Sequence, residues 1–346
     1  GDPASALLEV LDPEQNDTFT DRYLELPFDL SNVMFITTAN VKHTIPAPLL
    51  DRMEILELPG YTDKEKLEIA KRHLLPKQMK EHGLTDEEIT ISDSVLEKVI
   101  HEYTREAGVR KLEQQIATIC RKVAKDVVSG KERRSRVTTQ NLEKYLGIPR
   151  FRYGKSKNKD RIGVATGLAY TKVGGDILDI EVAIVEGKGK LILTGQLGDV
   201  MKESAKAALS YARTKREELD LPEKFHEKYD LHIHVPEGAV PKDGPSAGIT
   251  MTTAIISALA EIPVKGDVAM TGEVTLRGRA LAVGGIKTKV LAAHRAGIKT
   301  IILPEENERH IEEIPKQVRK ELEFHTVEHM DQVLDLALRR DENESS

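Results

Sequence analysis

The hydrophobic pattern at the start of the chain predicts one helix followed by two strands. Residues 4–11 carry leucines on one side of a predicted helix. A continuous apolar run covers residues 33–38, which is the pattern of a strand buried on both faces of a parallel sheet. A second short strand is predicted over residues 55–58, and Pro59-Gly60 closes this section.

The hydrophobic pattern of residues 60–149 is helical. Thr62 and Glu65 form a capping-box signature ahead of the first helix, and a second helix is predicted from residue 92 or 93. A third helix carries apolar residues at helical spacing, namely Leu112, Ile116, Ile119, Val123 and Val127. We therefore predict a small all-helical module here, followed by a basic, exposed linker over residues 150–160.

The remainder, residues 161–340, mixes strands and helices. Hydrophobic residues alternate with others from Leu178 to Ile184, which indicates a half-buried strand. The turn 187–189 is predicted to join it to a partner strand at 191–193 as a hairpin. Other predicted strands cover residues 231–235, 268–276 and 300–303, and predicted helices cover residues 202–219, 246–260 and 286–295. This mixture indicates an α/β or α+β domain, and residues 341–346 form a polar tail.

Composition narrows the class of protein. The 346 residues suffice for about two domains, and no apolar run is long enough to cross a membrane. The single Cys120 excludes an internal disulfide and suits a reducing compartment, which favours a cytoplasmic location. A net charge of -6 argues against a globally basic nucleic-acid binder, and the basic stretch 131–136 is interpreted as a solvated loop.

Candidate chemistry is concentrated in residues 241–248 and in residues 284–289. A serine is a poor nucleophile until a neighbour takes its proton, and a lysine can do so where burial or positive neighbours lower its pKa. Ser246 stands at the predicted start of an apolar helix, where backbone N–H groups favour a developing oxyanion. We therefore predict a serine peptidase that uses a lysine as general base, with oxyanion donors among residues 244–247.

The same residues allow simpler interpretations. Ser246 would also be a favoured N-cap for a helix of the core. On a helix that begins near Ile286, Lys287 and Lys289 lie about equally close to the apolar stripe. Either lysine could also be a surface residue whose methylene stem packs against apolar groups. Periodicity alone therefore leaves both lysines as candidates.

Three other functions compete with a Ser-Lys peptidase. His232 and His234 share one face of a predicted strand, and with Glu237 they have the donor types of a zinc site. His294 follows Lys289 on one predicted helix and is a candidate base for a different hydrolase. A non-catalytic assembly or DNA-binding module is the third, although the negative net charge makes DNA a secondary partner at most. No metal site is expected.

The motifs resemble those of one known family. Residues 241–248 read PKDGPSAG, residues 271–273 read TGE, and residues 284–289 read GGIKTK. Together they are highly specific to bacterial Lon proteases, and the similarity covers essentially the whole chain. The resemblance implies that Ser246 is the nucleophile and that Lys289, the second lysine of the last motif, is its partner.

The same resemblance implies roles for three supporting residues. Thr271 resembles a threonine that orients the lysine amine. Asp243 and Glu237 resemble family carboxylates near the site. Acids so close could pair with the lysine, raise its pKa and hold the site idle until the loop moves.

The first two sections resemble parts of an AAA+ ATPase. Residues 1–59 resemble the C-terminal part of the α/β core, and residues 60–149 resemble its helical lid. Asn40 matches sensor 1, which orients the hydrolytic water, and Arg52 matches an arginine finger that acts on the nucleotide of a neighbouring subunit. Arg110 matches sensor 2 on the lid.

The phosphate-binding half of the ATPase has no counterpart in this sequence. No G-x-x-x-x-G-K-[ST] stretch occurs, and the acidic strand motif that holds magnesium is also absent. The resemblance therefore implies a multidomain fold with a truncated AAA+ core, an all-α lid and an α/β (α+β) Lon-type proteolytic domain. ATP and Mg²⁺ would serve the intact protein, and neither is expected to bind this chain tightly.

The resemblance also implies a biological activity. The intact protein would be an ATP-dependent serine endopeptidase that degrades unfolded, damaged and tagged regulatory proteins in a cytoplasmic homo-hexameric ring. Weak DNA association would be possible, and no membrane partner is expected. The chain begins with Gly1 and is interpreted as part of a longer protein that keeps the peptidase site.

Overall fold

The computed structural model of the chain describes residues 3–21, 23–39, 45–56, 60–131, 133–151, 159–171, 174–236 and 241–339. Its internal contacts form two units, Gly1–Pro59 and Gly60–Ser346. Within the described ranges, no helix is long and apolar enough to span a membrane.

The first unit contains little regular structure. Its elements are the helix α1 (Pro3–Val10), the antiparallel strands β1 (Phe19–Thr20) and β2 (Pro27–Phe28), and the short helix α2 (Ala47–Leu50). The strand predicted over residues 33–38 is wrong, because residues 33–39 are exposed and form no strand. Residues 55 and 56 also lie outside any strand, and residues 57 and 58 fall outside the described ranges. A buried parallel strand needs hydrogen-bonding neighbours, and the described part of this unit places none beside this run.

The second unit begins with helices. The predicted capping box opens α3 (Asp63–Ile69), where the side chains of Thr62 and Glu65 each accept a hydrogen bond from the backbone of the other. A π-helical turn, Ala70–Leu74, then leads into α4 (Leu75–Glu81). Pro76 has no backbone N–H, so the helix lacks one hydrogen bond there, and the π-helical turn accommodates this loss.

The rest of this region is helical apart from two short strands. Its elements are β3 (Ile89–Ile91), α5 (Asp93–Tyr103), α6 (Arg110–Val128), β4 (Ser135–Val137) and α7 (Leu142–Leu146). The apolar faces of α5 and α6 form a single core. Four of the five residues of the predicted stripe lie in this core, and the fifth, Val127, packs at its edge. The prediction of an all-helical module is wrong in one respect, because β3 and β4 pair in parallel. Each strand has three residues, too few to show a period of two.

A seven-stranded mixed sheet forms the centre of the remaining chain. Its strands are β5 (Val164–Thr171), β6 (Gly174–Glu186), β7 (Leu191–Thr194), β8 (Tyr229–His234), β9 (Val268–Met270), β12 (Thr300–Pro304) and β13 (Glu323–Val327). A separate hairpin consists of β10 (Glu273–Val274) and β11 (Ala280–Leu281), so the strand predicted over 268–276 is interrupted. The helices are α8 (Asp199–Thr214), α9 (Phe225–Lys228), α10 (Gly248–Ala260), α11 (Ile286–Arg295), α12 (Lys316–Glu321) and α13 (Met330–Ala337).

The sheet has the order β13-β12-β9-β5-β6-β8-β7 and carries helices on both faces. Alternate residues of β12 show this arrangement: Ile302 belongs to the core under α8, α10 and α13, whereas Ile301 and Leu303 belong to the core under α11 and α12. The helices α10 and α11 therefore lie on opposite faces. Thr271 directly follows the C-terminal end of β9, between these two layers.

The hairpin predicted across residues 187–189 is wrong. The strand β8 lies between β6 and β7, antiparallel to the first and parallel to the second. The carboxylate of Asp230 at the start of β8 accepts hydrogen bonds from the backbone N–H groups of Lys188 and Lys190 at 2.8 and 2.7 Å. The glycine-rich turn therefore wraps over the end of a third strand, a long-range contact that the local pattern does not reveal.

Candidate active site

Ser246 lies in a turn immediately before α10. Residues Pro245–Ala247 form one 3₁₀ turn, and α10 begins at Gly248 with Ala247 as its N-cap and without a side-chain cap. The interpretation of Ser246 as a mere helix cap is therefore wrong. Gly244 has φ 116°, a conformation that residues with a side chain rarely adopt, so a glycine is needed to enter this turn.

The backbone around Ser246 is held from several directions. Its carbonyl oxygen accepts hydrogen bonds from the N–H of Gly272 at 3.0 Å and from Thr271 Oγ1 at 3.2 Å. Ser204 of α8 donates its hydroxyl to the carbonyl of Pro245 at 3.4 Å. These contacts fix the position of the Ser246 backbone without using its hydroxyl group.

Lys289 lies in the first turns of α11 and is almost completely buried. The residue is 2% exposed, and its Nζ donates a hydrogen bond to Thr271 Oγ1 at 3.0 Å. Burial lowers the pKa of this amine from its ordinary 10.5 to about 8, because an apolar environment disfavours the charged form. Lys287, the alternative from periodicity, is only half-buried. Burial therefore separates two lysines that their spacing could not.

Thr271 links the two candidate residues. Its hydroxyl accepts a hydrogen bond from Lys289 Nζ and donates its own proton to the carbonyl of Ser246. A hydroxyl has one proton and can accept from a second donor at the same time, so both contacts are compatible. The amine is thus held beside the turn that carries the serine.

Asp243 occupies a different place from the one expected for an acid that pairs with the lysine. Its Oδ1 accepts hydrogen bonds from the N–H groups of Met201 at 3.0 Å and Gly244 at 2.9 Å. Met201 lies in the first turn of α8, whose N-cap is Gly198, and a Cβ atom at Gly198 would lie 2.2 Å from Asp243 Cγ. Asp243 therefore caps α8 from a distant segment. The pKa of Lys289 is lowered rather than raised, and Glu237 lies outside the described residues.

Comparison with known proteins identifies the family of this chain. Residues 136–340 match the family described as the Lon protease (S16) C-terminal proteolytic domain, and residues 80–136 match the Lon protease AAA+ ATPase lid domain. The chain belongs to the Lon protease family. The expected resemblance is confirmed, and a serine endopeptidase is the enzyme class that this family supports.

Relatives agree along the full length of the chain. Lon protease of Halothermothrix orenii is 67% identical over 345 residues, which are 100% of this chain and 44% of that protein. Lon protease of Desulforamulus reducens is 63% identical, and Lon protease 1 of Bacillus subtilis is 61% identical, each over 98% of this chain and 42% and 44% of the relative. The chain thus spans less than half the length of these curated Lon proteases.

The three predicted nucleotide-sensing residues of the Lon ATPase differ in what the structure shows of them. Arg52 donates to Asp12 Oδ2 at 3.0 Å and to the carbonyl of Pro48 at 3.1 Å. Arg110 is exposed and is the first residue of α6. Asn40 lies outside the described residues. The assignment of all three to nucleotide sensing stays a prediction.

The histidines of the competing hypotheses bind other groups in the Lon domain. His232 Nε2 and His234 Nδ1 lie 2.9 and 2.7 Å from Thr194 Oγ1, so the threonine hydroxyl bridges the two rings. Among the described residues, no group of three His, Cys, Asp or Glu side chains could hold a metal ion. His294 Nε2 lies 2.8 Å from Glu321 Oε2 on α12, a different contact from the one that a base for Ser246 requires.

Two further residues hold the serine turn, and the sequence gives little local signal of their role. Ser204 is buried on α8 among apolar neighbours, and its polarity on that face is the one local signal of its contact with Pro245. Gly272 belongs to the TGE motif, and its N–H donates directly to the carbonyl of Ser246. A side chain on Gly272 would also meet Pro304 Cγ at 3.0 Å and Ile249 Cδ1 at 3.1 Å.

Proposed function

We propose that this chain carries the peptidase centre of an ATP-dependent Lon serine endopeptidase, with Ser246 as nucleophile and Lys289 as general base. One observation carries the assignment. Lys289 is buried, has a pKa of about 8, and is joined through Thr271 to the turn that holds Ser246. Near neutral pH such a lysine is neutral in about a tenth of the molecules, far more often than an exposed one.

The reaction follows from these positions. Neutral Lys289 takes the proton of Ser246 Oγ, which attacks the carbonyl carbon of the scissile peptide bond. The protonated lysine then gives that proton to the leaving amine, and an acyl-enzyme forms on Ser246. Water, deprotonated by the same lysine, hydrolyses the ester and restores the serine. Thr271 keeps the amine oriented throughout these proton transfers.

Only two of the four residues 244–247 have a backbone N–H that can serve as an oxyanion donor. Pro245 has no backbone N–H, and the N–H of Gly244 is donated to Asp243 Oδ1 at 2.9 Å. The N–H groups of Ser246 and Ala247 remain in that segment. The N–H of the nucleophile itself is the better placed of the two, because that of Ala247 lies inside the 3₁₀ turn.

ATP would act in the intact protein. The residues of this chain do not fit the nucleotide by themselves, because the phosphate-binding loop is missing and the guanidinium of Arg52 already binds Asp12. We expect titration calorimetry of this chain with MgATP to give no signal at micromolar concentrations. Micromolar binding would contradict that expectation.

The substrates and assembly are proposed from the family. Unfolded, damaged or tagged proteins would be threaded by the motor into a homo-hexameric chamber in the cytoplasm. This chain would retain slow cleavage of short unstructured peptides, which need no unfolding. Weak DNA association stays a prediction, and the net charge of -6 restricts it to a local surface.

The decisive experiment is hydrolysis of a fluorogenic unstructured peptide between pH 6 and 10. Ser246→Ala and Lys289→Ala should each abolish cleavage, whereas Lys287→Ala, the matched control on the same helix, should retain it. Cleavage that survives Ser246→Ala would refute the mechanism. Cleavage lost equally in Lys287→Ala would refute the choice of lysine. A silent wild-type chain would overturn the proposal that this chain is active without the rest of the protein.

A further inference from the structure

The loop between α5 and α6, residues 104–109, is tied to the start of the lid and to the first turn of α6. The N–H of Tyr61, near the start of the second unit, donates to the carbonyl of Ala107 at 2.9 Å. A Cβ atom at Gly60 would lie 2.8 Å from Ala107, so this approach requires a glycine. The carboxylate of Glu106 accepts the N–H groups of Lys111 and Leu112 in the first turn of α6, at 2.9 and 2.8 Å. The loop therefore moves with the chain that enters the lid and with the start of α6.

Arg105 connects this loop to the proteolytic domain. Its guanidinium donates a hydrogen bond to the carboxylate of Asp176, near the start of β6. The two side chains are 33% and 27% exposed, so the ion pair is partly shielded from water. A charge-assisted bond in such a setting is stronger than an exposed surface pair and has a fixed direction.

The residue next to Asp176 touches the helix that bears Lys289. A Cβ atom at Gly175 would lie 2.0 Å from the carbonyl oxygen of Thr288 and 2.9 Å from the backbone nitrogen of Lys289. Arg295, on the last turn of α11, donates to the carbonyl of Gly175 at 3.3 Å. The start of β6 is thus in direct backbone contact with α11 at Lys289. Because close-packed groups cannot shift independently, a displacement of one must displace the other.

We propose that Arg105 and Asp176 are positioning residues through which the lid sets the location of the Lys289 amine. The inference rests on the proposed role of Lys289 as the base. The contacts run from the 104–109 loop to Asp176, from there to Gly175, and then to the backbone of Lys289. Arg110, the predicted nucleotide sensor, directly follows the loop, so a nucleotide-dependent movement of the lid has a short route to the peptidase site.

The expected effect is on chemistry rather than on peptide binding. A misplacement of about 1 Å at a catalytic group can cost up to about 100-fold in rate, even when the change is made elsewhere. Loosening the start of β6 would also let water approach the amine, which would raise the pKa of Lys289 toward its ordinary value. Neither effect is expected from a pair that serves only to attach the lid.

Three variants test the proposal: Arg105→Gln, Asp176→Asn and the double variant. Lys64→Gln is the matched control, because it removes a different pair between the lid and α12, Lys64 with Glu321 at 3.9 Å. We expect each single variant to lower kcat for peptide hydrolysis about tenfold with KM within about twofold, and the double variant to match the singles. The swapped pair Arg105→Asp with Asp176→Arg should recover part of the loss, and Lys64→Gln should change neither constant.

A second readout needs no activity. The titration of Lys289 can be followed by NMR with ¹³C-labelled lysine, its signal assigned by its loss in Lys289→Met. We expect the midpoint to rise by about one pH unit in Arg105→Gln and to stay unchanged in Lys64→Gln. If the wild-type chain cleaves no peptide, the proposal that this chain is active by itself fails, yet this titration still decides the positioning role. An unchanged titration in a folded Arg105→Gln variant, or losses of kcat that add in the double variant, would overturn the proposal.

Discussion

Among the described residues, two lysines are almost completely buried, one on α3 and one in the proteolytic domain, and they differ in the groups that surround them. Lys66 on α3 is 4% exposed and donates Nζ to the carbonyl of Glu106. Its pKa is lowered by burial, but the negative charge of Asp63 opposes that effect. Lys289 is 2% exposed, its partner is the hydroxyl of Thr271, and burial brings its pKa to about 8.

The difference shows that burial alone does not make a lysine a base. A carboxylate beside a buried ammonium opposes the loss of its proton, so Lys66 serves as a structural cation that ties α3 to the 104–109 loop. A hydroxyl accepts a hydrogen bond from the ammonium without neutralising its charge, so the proton can leave near neutral pH. The two lysines therefore differ in the charge around them, because Asp63 and Glu106 oppose the effect of burial at Lys66, whereas burial is the dominant effect at Lys289.

The comparison is tested most strongly by removing each amine. Lys289→Met should lower peptide hydrolysis by about a thousandfold, because the serine loses its base. Lys66→Met, the matched substitution on α3, should leave the rate within about threefold. A loss of similar size in both variants, measured with a fluorogenic peptide, would mean that Lys289 acts through structure rather than chemistry.

The same two variants should change stability to different extents. The folded protein holds Lys289 with a pKa of about 8 against 10.5 in the unfolded chain, so the unfolded state binds more protons between these values. Stability therefore rises with pH across that window, and Lys289→Met should gain about 3 kcal/mol at pH 7, a gain that shrinks above pH 8. The pKa of Lys66 is also lowered, so its linkage has the same sign, but Lys66→Met removes a partner of Asp63 and of the carbonyl of Glu106, and its gain at pH 7 should be smaller than that of Lys289→Met. Denaturant unfolding at pH 7 and pH 10 measures both changes, and a destabilised Lys289→Met would contradict the assigned cost of burial.

The pH dependence of the rate sharpens the distinction further. Only neutral Lys289 can take a proton, so kcat/KM should rise about tenfold per pH unit below a midpoint near 8 and level off above it. The profile of Lys66→Met should have the same midpoint. A wild-type midpoint below about 7 would instead point to a histidine as the base.

A smaller effect is expected at Asp243, which contacts a helix rather than either lysine. Asp243→Ala should cost about 1 kcal/mol of stability, because α8 loses the acceptor for the N–H of Met201. Asp243→Asn keeps an acceptor and should cost less. The midpoint of the pH–rate profile should be the same in Asp243→Asn as in the wild type. A shift of that midpoint would restore the idea that this carboxylate pairs with Lys289.

Local structure was predictable wherever nearby residues decide it. The helix predicted over 286–295 is α11 with the same bounds, and the capping box of Thr62 and Glu65 forms as expected. The predictions failed where distant partners are needed. The apolar run at 33–38 has no strand beside it in the described chain, and the turn at 187–189 wraps over β8 instead of closing a hairpin.

In the candidate site, too, some features are predictable from nearby residues and others depend on distant ones. Residue types and motif spacing were enough to assign the family and to select Ser246, because such signals lie within a few consecutive residues. The contact of Asp243 with α8, the support of Ser246 by Gly272, and the burial that separates Lys289 from Lys287 were decided by the tertiary structure alone. The physical reason is that burial and pKa depend on every group packed around a side chain, and those groups come from segments far apart in the sequence.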